Sequence, residues 1–413
     1  MIRLATDWLA ELGNGAVALF MNPLFYWSFL LLFLTGYMRI KAERRQFSVK
    51  IYDLFSEWKR TILPSIIIGI VVSLILAGAG VVFSYGSLIV LSLMMILLSI
   101  NLKFTFLSPS YTIGLSYIVL LFGQMFLQNQ NLIPEFYYSE TNYIALTFLM
   151  GLLLIVEAIF IKRVKRKESF PKLVKSKRGI WIGEHHLKKS AIVPIFLLIP
   201  GGVIESFAPY WPLFSIGEQS YGLILFPFLV GFSHHVRTML TPEAANYFAK
   251  WIALLGVLVI VISAAGYYLQ GMSLIAFVIG ILGREFITYR FHIKENRGVP
   301  LYKPEEVGLR ILGIIPGTPA DRLEIQVGEV ITKVNDQRVN DPDEFYEALQ
   351  GSGAYFKLEM LDNRNEIRFV QSAFYESDHY RLGLLFVETP HHLKKLNTDV
   401  KESHSLEDKT DTI

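Results

Sequence analysis

The sequence predicts a helical membrane domain followed by a small α+β domain, and composition and charge distribution support this. The 413 residues are 52% hydrophobic and only 18% charged, whereas soluble chains carry about 25% charged residues. Residues 1–290 hold 24 Lys and Arg and 14 Asp and Glu, while residues 291–413 hold 15 and 22. The first part therefore has the character of a lipid-soluble domain, and the second does not.

Long apolar segments divide the first part. A spanning helix needs about 20 mostly apolar residues, because its backbone amides must be paired inside hydrocarbon. We expect about nine spans, within a range of seven to nine, because Asn101 and Lys103 interrupt the third segment and the fourth is short. Losing that pair would leave the orientation of the others unchanged. The expected spans are roughly 17–38, 62–84, 86–106, 111–127, 143–161, 190–208, 220–236, 251–269 and 272–289.

The loops between these segments predict the orientation. Segments 39–61 and 162–189 hold seven and eleven Lys and Arg, whereas 84–87, 128–142, 209–219 and 270–271 hold none. Basic loops are retained in the cytoplasm, so we expect an external N-terminus and a cytoplasmic C-terminal domain. Because Asp7 and Glu11 precede the first apolar run and no basic region does, we expect an anchor and no cleaved signal peptide.

Charged residues inside an apolar span are the usual mark of a transport or catalytic site, and the four Glu and Arg residues of the expected spans are the candidates. Glu157, Glu205, Arg284 and Glu285 all lie within one or two turns of a span boundary. We expect their side chains to reach the interface and not to form an ion site.

No enzyme is indicated. The chain has no cysteine, which removes thiol nucleophiles and thiolate metal sites. It contains no H-E-x-x-H, G-x-S-x-G or phosphate-loop motif, and we expect no cofactor, no metal and no nucleic-acid partner. The basic residues of the two loops suit the attraction of anionic lipid headgroups. An equally good interpretation is that they only set the orientation of the spans in the membrane.

The second part has its own pattern of strands and turns. Segment 307–315 is rich in β-formers and ends at Pro316-Gly317, segment 327–334 predicts a second strand, and Asp341-Pro342 opens a helix. Strands at 355–361 and 366–371 complete the domain. We expect a membrane domain over 1–290, a linker over 291–300, a folded domain over 301–390 and a disordered tail over 391–413.

This order of elements resembles a PDZ domain of the circularly permuted bacterial type, which implies a peptide groove along an open strand edge. The resemblance assigns Val307, Gly308 and Leu309 to the carboxylate loop and Arg310 and Ile311 to the strand edge. The resemblance also assigns Phe345 and Leu349 to the helix wall, and the alternative that they are simply core residues stays open. Leu382-Gly383-Leu384 is a second apolar-Gly-apolar triplet, which favours a closing strand that packs on the domain, with a competing carboxylate loop as the alternative.

The whole layout resembles the MinJ family of division-site placement proteins. The resemblance rests on the first span with Asn22-Pro23, the basic first loop, the further spans and the single C-terminal PDZ domain. It implies a membrane adaptor at poles and septa that connects the polar scaffold DivIVA to MinD. Two alternatives stay open: a regulatory subunit of a membrane-associated protease, and a transporter with a PDZ module. The peptide ligand and the oligomeric state are not predicted.

Overall fold

The computed structural model describes residues 2–127, 142–206, 211–214, 220–353, 355–373 and 382–388. The expected tail over 391–413 lies outside these residues. The helices are α1 (Ile2–Leu19), α2 (Pro23–Phe47), α3 (Ile62–Ala79), α4 (Tyr85–Ser99), α5 (Pro109–Leu127), α6 (Tyr143–Lys162), α7 (Thr241–Ala265), α8 (Met272–Arg297), α9 (Pro319–Arg322) and α10 (Pro342–Gln350). The strands are β1 (Phe170–Lys175), β2 (Trp181–Glu205), β3 (Ser220–Val236), β4 (Leu309–Ile314), β5 (Val330–Val334), β6 (Gln337–Arg338), β7 (Tyr355–Leu361), β8 (Ile367–Ala373) and β9 (Leu384–Phe386).

Several of the helices are candidate membrane spans. Within the described ranges, five are long and apolar enough to cross a bilayer, namely α2, α3, α6, α7 and α8. Helix α4 and the apolar part of α5 are shorter. Helix α3 leaves Leu63, Ile67, Ile70 and Leu74 more than half exposed, and a contiguous apolar face of this kind needs a lipid or protein cover.

The first expected span is two helices. Helix α1 ends at Leu19, and α2 begins at Pro23 behind the cap Asn22, whose side-chain oxygen accepts a hydrogen bond from the Leu24 amide at 3.0 Å. Asn before Pro is a strong helix start. The expectation of one continuous helix over 17–38 therefore missed a capping signal present in the sequence.

The expected helical spans at 190–208 and 220–236 are wrong, because these residues form the long antiparallel hairpin of β2 and β3. Pro194 and Pro200 lie in the first segment and Pro227 in the second, and an interior proline disfavours a helix. Pro194 lies opposite Pro227 in the register, and the Pro194 carbonyl faces Gly69 of α3. These two residues therefore direct their backbone groups away from each other, so the missing amides remove no hydrogen bond between the two strands. Hydropathy alone does not separate a buried strand from a buried helix.

Helices cover both edges of this hairpin. On the β2 side, the Phe196 amide donates to the Ser73 hydroxyl of α3 at 2.8 Å. On the β3 side, the buried Glu11 carboxylate of α1 accepts from the amides of Leu223 and, across the hairpin, Val203, both at 3.2 Å. Further along β3, Thr105 donates to the Ser233 carbonyl at 3.2 Å. Non-helical backbone is tolerated at membrane depth only when protein buries its polar groups, and this packing meets that condition.

Two of the in-span charges do not reach the interface as expected. Glu157 of α6 and Arg284 of α8 have no exposed side-chain surface and pair at 2.7 Å. Ser108 donates to the same carboxylate at 2.6 Å, and Arg284 also lies 3.3 Å from Nε2 of His234 on β3. The interfacial interpretation of Glu157 and Arg284 is therefore wrong. Glu285 is exposed and accepts from Tyr111 at 2.8 Å.

The C-terminal domain is a sheet with two short helices. Its strand order is β8-β7-β5-β4-β9, and β6 pairs with β5. Helix α10 begins at the cap Asp341, whose carboxylate accepts from the Asp343 and Glu344 amides at 2.9 Å. Its buried face, Phe345, Ala348 and Leu349, packs into the domain core.

The two parts of the chain form a continuous structure. The Gly183 amide of β2 donates to the Tyr302 carbonyl, and the Leu301 amide donates to the Arg237 carbonyl, each at 2.7 Å. Leu173 of β1 joins the hydrophobic core of the C-terminal domain. The segment expected as a linker is largely helical, because α8 continues to Arg297.

Candidate functional site

The residues assigned to the carboxylate loop surround the start of β4. Gly308 has φ of +84°, and a Cβ at this position would lie 2.6 Å from the Ile331 carbonyl oxygen, so the close approach of β5 requires glycine. The Gly308 amide donates to the Asn340 side chain at 3.1 Å. Val307 is exposed, whereas Leu309 is buried opposite Ile331.

The expectation of an open edge on this strand is wrong. Leu309 and Arg310 pair with β5, and Ile311, Gly313 and Ile314 pair with β9. Arg310 directs its guanidinium to Glu305 and to the Gly328 carbonyl, both at 2.9 Å. Because β4 lies between two strands, a peptide has no room to add beside Ile311. The assignment of Val307 to Ile311 as peptide-binding residues thereby loses the edge on which it rested.

Phe345 and Leu349 are both in the core. Each side chain has at most 1% of its surface exposed, and both belong to the cluster that contains Leu384 and Phe386. The rings of Phe345 and Phe386 meet edge to face with centroids 5.3 Å apart. These contacts hold α10 against β9, which is the strand at the end of the described sheet.

The strand that ends the described sheet is β9. Leu382, Leu384 and Phe386 are buried, and β9 is the terminal strand in the described order. Gly383 has φ of +83° and a Cβ there would overlap the Thr318 side chain. The signal for this site in the sequence is the triplet Leu382-Gly383-Leu384, for which a competing loop is the alternative to a closing strand.

Backbone directions indicate which way the edge of β9 faces. The Gly383 carbonyl accepts from the Ile315 amide at 2.9 Å and so points toward β4. Leu384 lies opposite Ile314 in the register, and a hydrogen bond between their neighbours Ile315 and Gly383 marks a non-hydrogen-bonded pair. The backbone groups of Leu384 therefore point away from β4. The Leu384 carbonyl indeed accepts from the Tyr346 hydroxyl of α10 at 3.4 Å. Among the described strands, none pairs with the other edge of β9, and this edge faces α10, where it forms one side of a candidate peptide groove.

Charged contacts hold the helix that follows β4 against the membrane part. Lys167 pairs with Asp321 of α9 at 2.7 Å, and Arg166 donates to Gln326 at 2.7 Å. The hydrogen bond from Lys167, with a second from the Gly317 amide, holds the pKa of the Asp321 carboxyl below its usual range. In the described part of the chain no group of three or more His, Asp or Glu is arranged to hold a metal ion.

These features define a class: a PDZ domain joined to a domain of candidate membrane helices. The PDZ family model matches residues 310–359, which run from β4 through β7. The matched range excludes β9, so the match by itself does not locate the groove.

Relatives cover nearly the full chain. "Cell division topological determinant MinJ" of Bacillus subtilis (strain 168) is 33% identical over 386 residues, which is 93% of this chain and 97% of that protein. "Probable cell division topological determinant MinJ" of Lacticaseibacillus paracasei is 24% identical over 380 residues, 89% of this chain and 97% of that protein, and the protein of that name from Lacticaseibacillus casei (strain BD-II) matches equally. The chain belongs to the MinJ family.

Proposed function

We propose that this protein is a non-enzymatic membrane scaffold for division-site placement, which recruits cytoplasmic division regulators to poles and septum. The groove between β9 and α10 is the peptide-binding site. The observation that carries this proposal is the open edge of β9, with the Leu384 carbonyl directed toward α10. An extended peptide adds to such an edge through main-chain hydrogen bonds, and adjacent pockets select its side chains.

The groove strand is the last of the described strands, so we further propose that this PDZ domain is circularly permuted. Strand β9 follows β8 in the chain and pairs with β4, the first strand of the domain. The groove residues by this proposal are Leu382, Gly383 and Leu384, with Tyr346 of α10 opposite. Phe345 and Leu349 support the groove from below.

The N-terminus is external and the C-terminal domain is cytoplasmic in this proposal. The basic loops and the C-terminal domain lie at the same end of the molecule, because Arg60 pairs with Glu168 and Lys167 pairs with Asp321. The β2–β3 hairpin replaces two expected spans and, as a pair, preserves the orientation of the helices around it. Positive loops mark the cytoplasmic face.

The partners by resemblance are a DivIVA-type polar scaffold and MinD, and the membrane part contributes further contacts. A photo-cross-linking residue at Tyr346 tests the groove directly, because this side chain lies beside the edge of β9. With the full chain and the two partners co-expressed, we expect an adduct between position 346 and at least one of them. Phe369 on β8, at the opposite end of the sheet and more than half exposed, is the matched control and should give none.

Equal adducts from positions 346 and 369 would show that the partners do not bind in the groove. So would the absence of an adduct from 346 while the partners still co-purify with the full chain.

The division role has a separate test. A fluorescent fusion should concentrate at septa and poles, and its loss should give filaments or misplaced septa. Even membrane fluorescence with normal division would contradict that role.

A further inference from the structure

A cavity of about 440 Å³ lies where the loop after α2 and the segment before β1 meet the C-terminal domain. Its floor is apolar and aromatic and includes Ile51, Tyr52 and Phe170. Ile315 and Pro316, at the end of β4, form the wall on the C-terminal side. A cavity of this volume is large enough for a small ligand or a lipid headgroup.

The rim of this cavity carries a small excess of positive charge. Four basic residues and three acidic residues line it, leaving one excess positive charge: Lys50, Lys59, Arg60, Lys167, Asp53, Glu168 and Asp321. Arg60 pairs with Glu168 at 3.0 Å and Lys50 with Asp53 at 2.9 Å. Lys59 makes no ion pair in the described part of the chain. The carboxylates of the rim thus leave one cation, the Lys59 ammonium, without an anionic partner, directly beside Arg60.

An exposed apolar surface begins directly beside that rim. Helix α3 starts two residues after Arg60, and its first residues Ile62 and Leu63 are 51% and 68% exposed. Phe55, in the preceding turn, is 51% exposed. The face continues up α3, which is a candidate membrane span. An anion of the size of phosphate, bound in the cavity, would therefore lie within one helical turn of the exposed apolar side chains of α3.

We propose that this cavity binds the headgroup of an anionic glycerophospholipid. The phosphodiester lies at Lys59 and Arg60, and the acyl chains follow the exposed face of α3. Basic pockets at the cytoplasmic ends of membrane helices suit such headgroups. A peptide carboxylate would match the charge but not the adjoining apolar helix face, so the lipid is the better fit. Because Ile315 and Pro316 line the same cavity, a bound lipid touches both parts of the protein.

The test uses the full chain reconstituted with equal amounts of phosphatidylglycerol and phosphatidylcholine. After extraction in mild detergent, the lipid that remains on the protein is quantified by mass spectrometry. We expect phosphatidylglycerol to be enriched over its bulk share. The variant Lys59→Gln/Arg60→Gln should lose this enrichment, since each basic residue near an anionic headgroup contributes roughly a fivefold preference.

The matched control is Lys177→Gln/Arg178→Gln, which removes the same two charges from the exposed β1–β2 turn outside the cavity and should retain the enrichment. Lys59→Gln alone breaks no ion pair in the described part of the chain, so its several-fold loss of enrichment is measurable even if the double variant folds poorly. Equal retention of the two lipids by the unsubstituted protein, or equal losses in both double variants, would overturn the proposal. Displacement of phosphatidylglycerol by excess inorganic phosphate or by an acidic peptide would assign the cavity to those ligands instead.

Discussion

Glu157 and Arg284 carry opposite charges in a place with no access to solvent. Burying either ion alone is strongly unfavourable, and a buried pair is stable only when hydrogen bonds satisfy the remaining atoms. Ser108 donates to the Glu157 carboxylate, and the Arg284 guanidinium contacts Thr288 and His234. The pair therefore joins α6, α8, β3 and the start of α5 at one point.

Replacing one member of this pair should destabilise the protein severely. Glu157→Gln leaves the Arg284 charge buried without an anion, and we expect a loss of about 3 kcal/mol or more in the free energy of unfolding. Thermal unfolding of the detergent-solubilised protein measures it. Glu285→Gln, an exposed position on the same helix as Arg284, is the control and should change stability by under about 0.5 kcal/mol. Similar losses in both variants would contradict the argument.

Glu184, at the base of the hairpin, makes a contribution to the stability of the fold that depends on pH. Burial acts to raise its pKa, but hydrogen bonds from His235 and Arg237 and the nearby Lys172 outweigh it and hold the pKa at about 2. A carboxyl with a depressed folded-state pKa stabilises the fold above its ordinary value of 4.5, and this stabilisation is lost as the pH falls toward 2.

We therefore expect the difference in unfolding free energy between the unsubstituted protein and Glu184→Gln to be constant near neutral pH. It should shrink between about pH 4.5 and pH 2. Chemical denaturation across that range measures the difference. A difference that stays level to pH 2 would show that the Glu184 contacts do not depend on its charge.

At the scale of elements, the β2–β3 hairpin is held because helices pack closely on its edges. Gly69 of α3 lies against the Pro194 carbonyl and Gly15 of α1 against the Leu223 carbonyl, where a Cβ would overlap or crowd the oxygen. Glycine at these points lets a helix approach a strand edge at backbone distance. The Ser73 and Glu11 side chains then accept hydrogen bonds from amides on the strand edges.

Gly69→Ala should separate α3 from β2. The added Cβ overlaps backbone and not a flexible side chain, so we expect a destabilisation of roughly 1–3 kcal/mol despite the better helix propensity of alanine. Gly78→Ala, on the same helix with no heavy atom within 4 Å of the built Cβ, is the control and should be neutral or stabilising. The melting temperatures of the two variants, compared with that of the unsubstituted protein, measure this destabilisation. Equal melting temperatures would mean that α3 shifts at no cost.

At the scale of the whole molecule, a three-stranded sheet connects the two parts. Strand β1 pairs with the base of β2, and β2 pairs with β3 along the hairpin. The C-terminal domain rests on this base through Leu173, Gly183 and Tyr302. The groove between β9 and α10 is thus held in a defined orientation relative to the helices.

The proposed topology has a direct test, because the chain has no cysteine and single cysteines can be introduced cleanly. In intact cells, a membrane-impermeant maleimide should label Tyr268→Cys in the α7–α8 turn, where the side chain is 84% exposed. It should label Arg364→Cys, exposed in the β7–β8 turn, only after the membrane is permeabilised. Labelling of Arg364→Cys in intact cells would invert the proposed orientation.

Local signals in the sequence predicted much of the architecture. The apolar runs at 62–84 and 143–161 correspond to α3 and α6, and Asp341-Pro342 correctly predicted the start of α10. The succession of segments 307–315, 327–334 and 355–361 predicted strands that are present, and the PDZ resemblance is confirmed by the family match. Such signals are readable because helix caps, turns and hydrophobic runs depend on neighbouring residues.

Only the tertiary structure decided what depends on distant residues. The segments at 190–208 and 220–236 are apolar enough for helices, and their strand form depends on α1, α3 and each other to pair the backbone. Among the described strands the open edge belongs to β9 and not to β4, because β9, although distant in sequence, occupies the edge beside Ile311. Composition indicated the apolar helices, and the resemblance of the ordered segments after residue 300 indicated the PDZ domain. The burial of Glu157 with Arg284 and the position of the groove were decided by long-range packing, which no local pattern encodes.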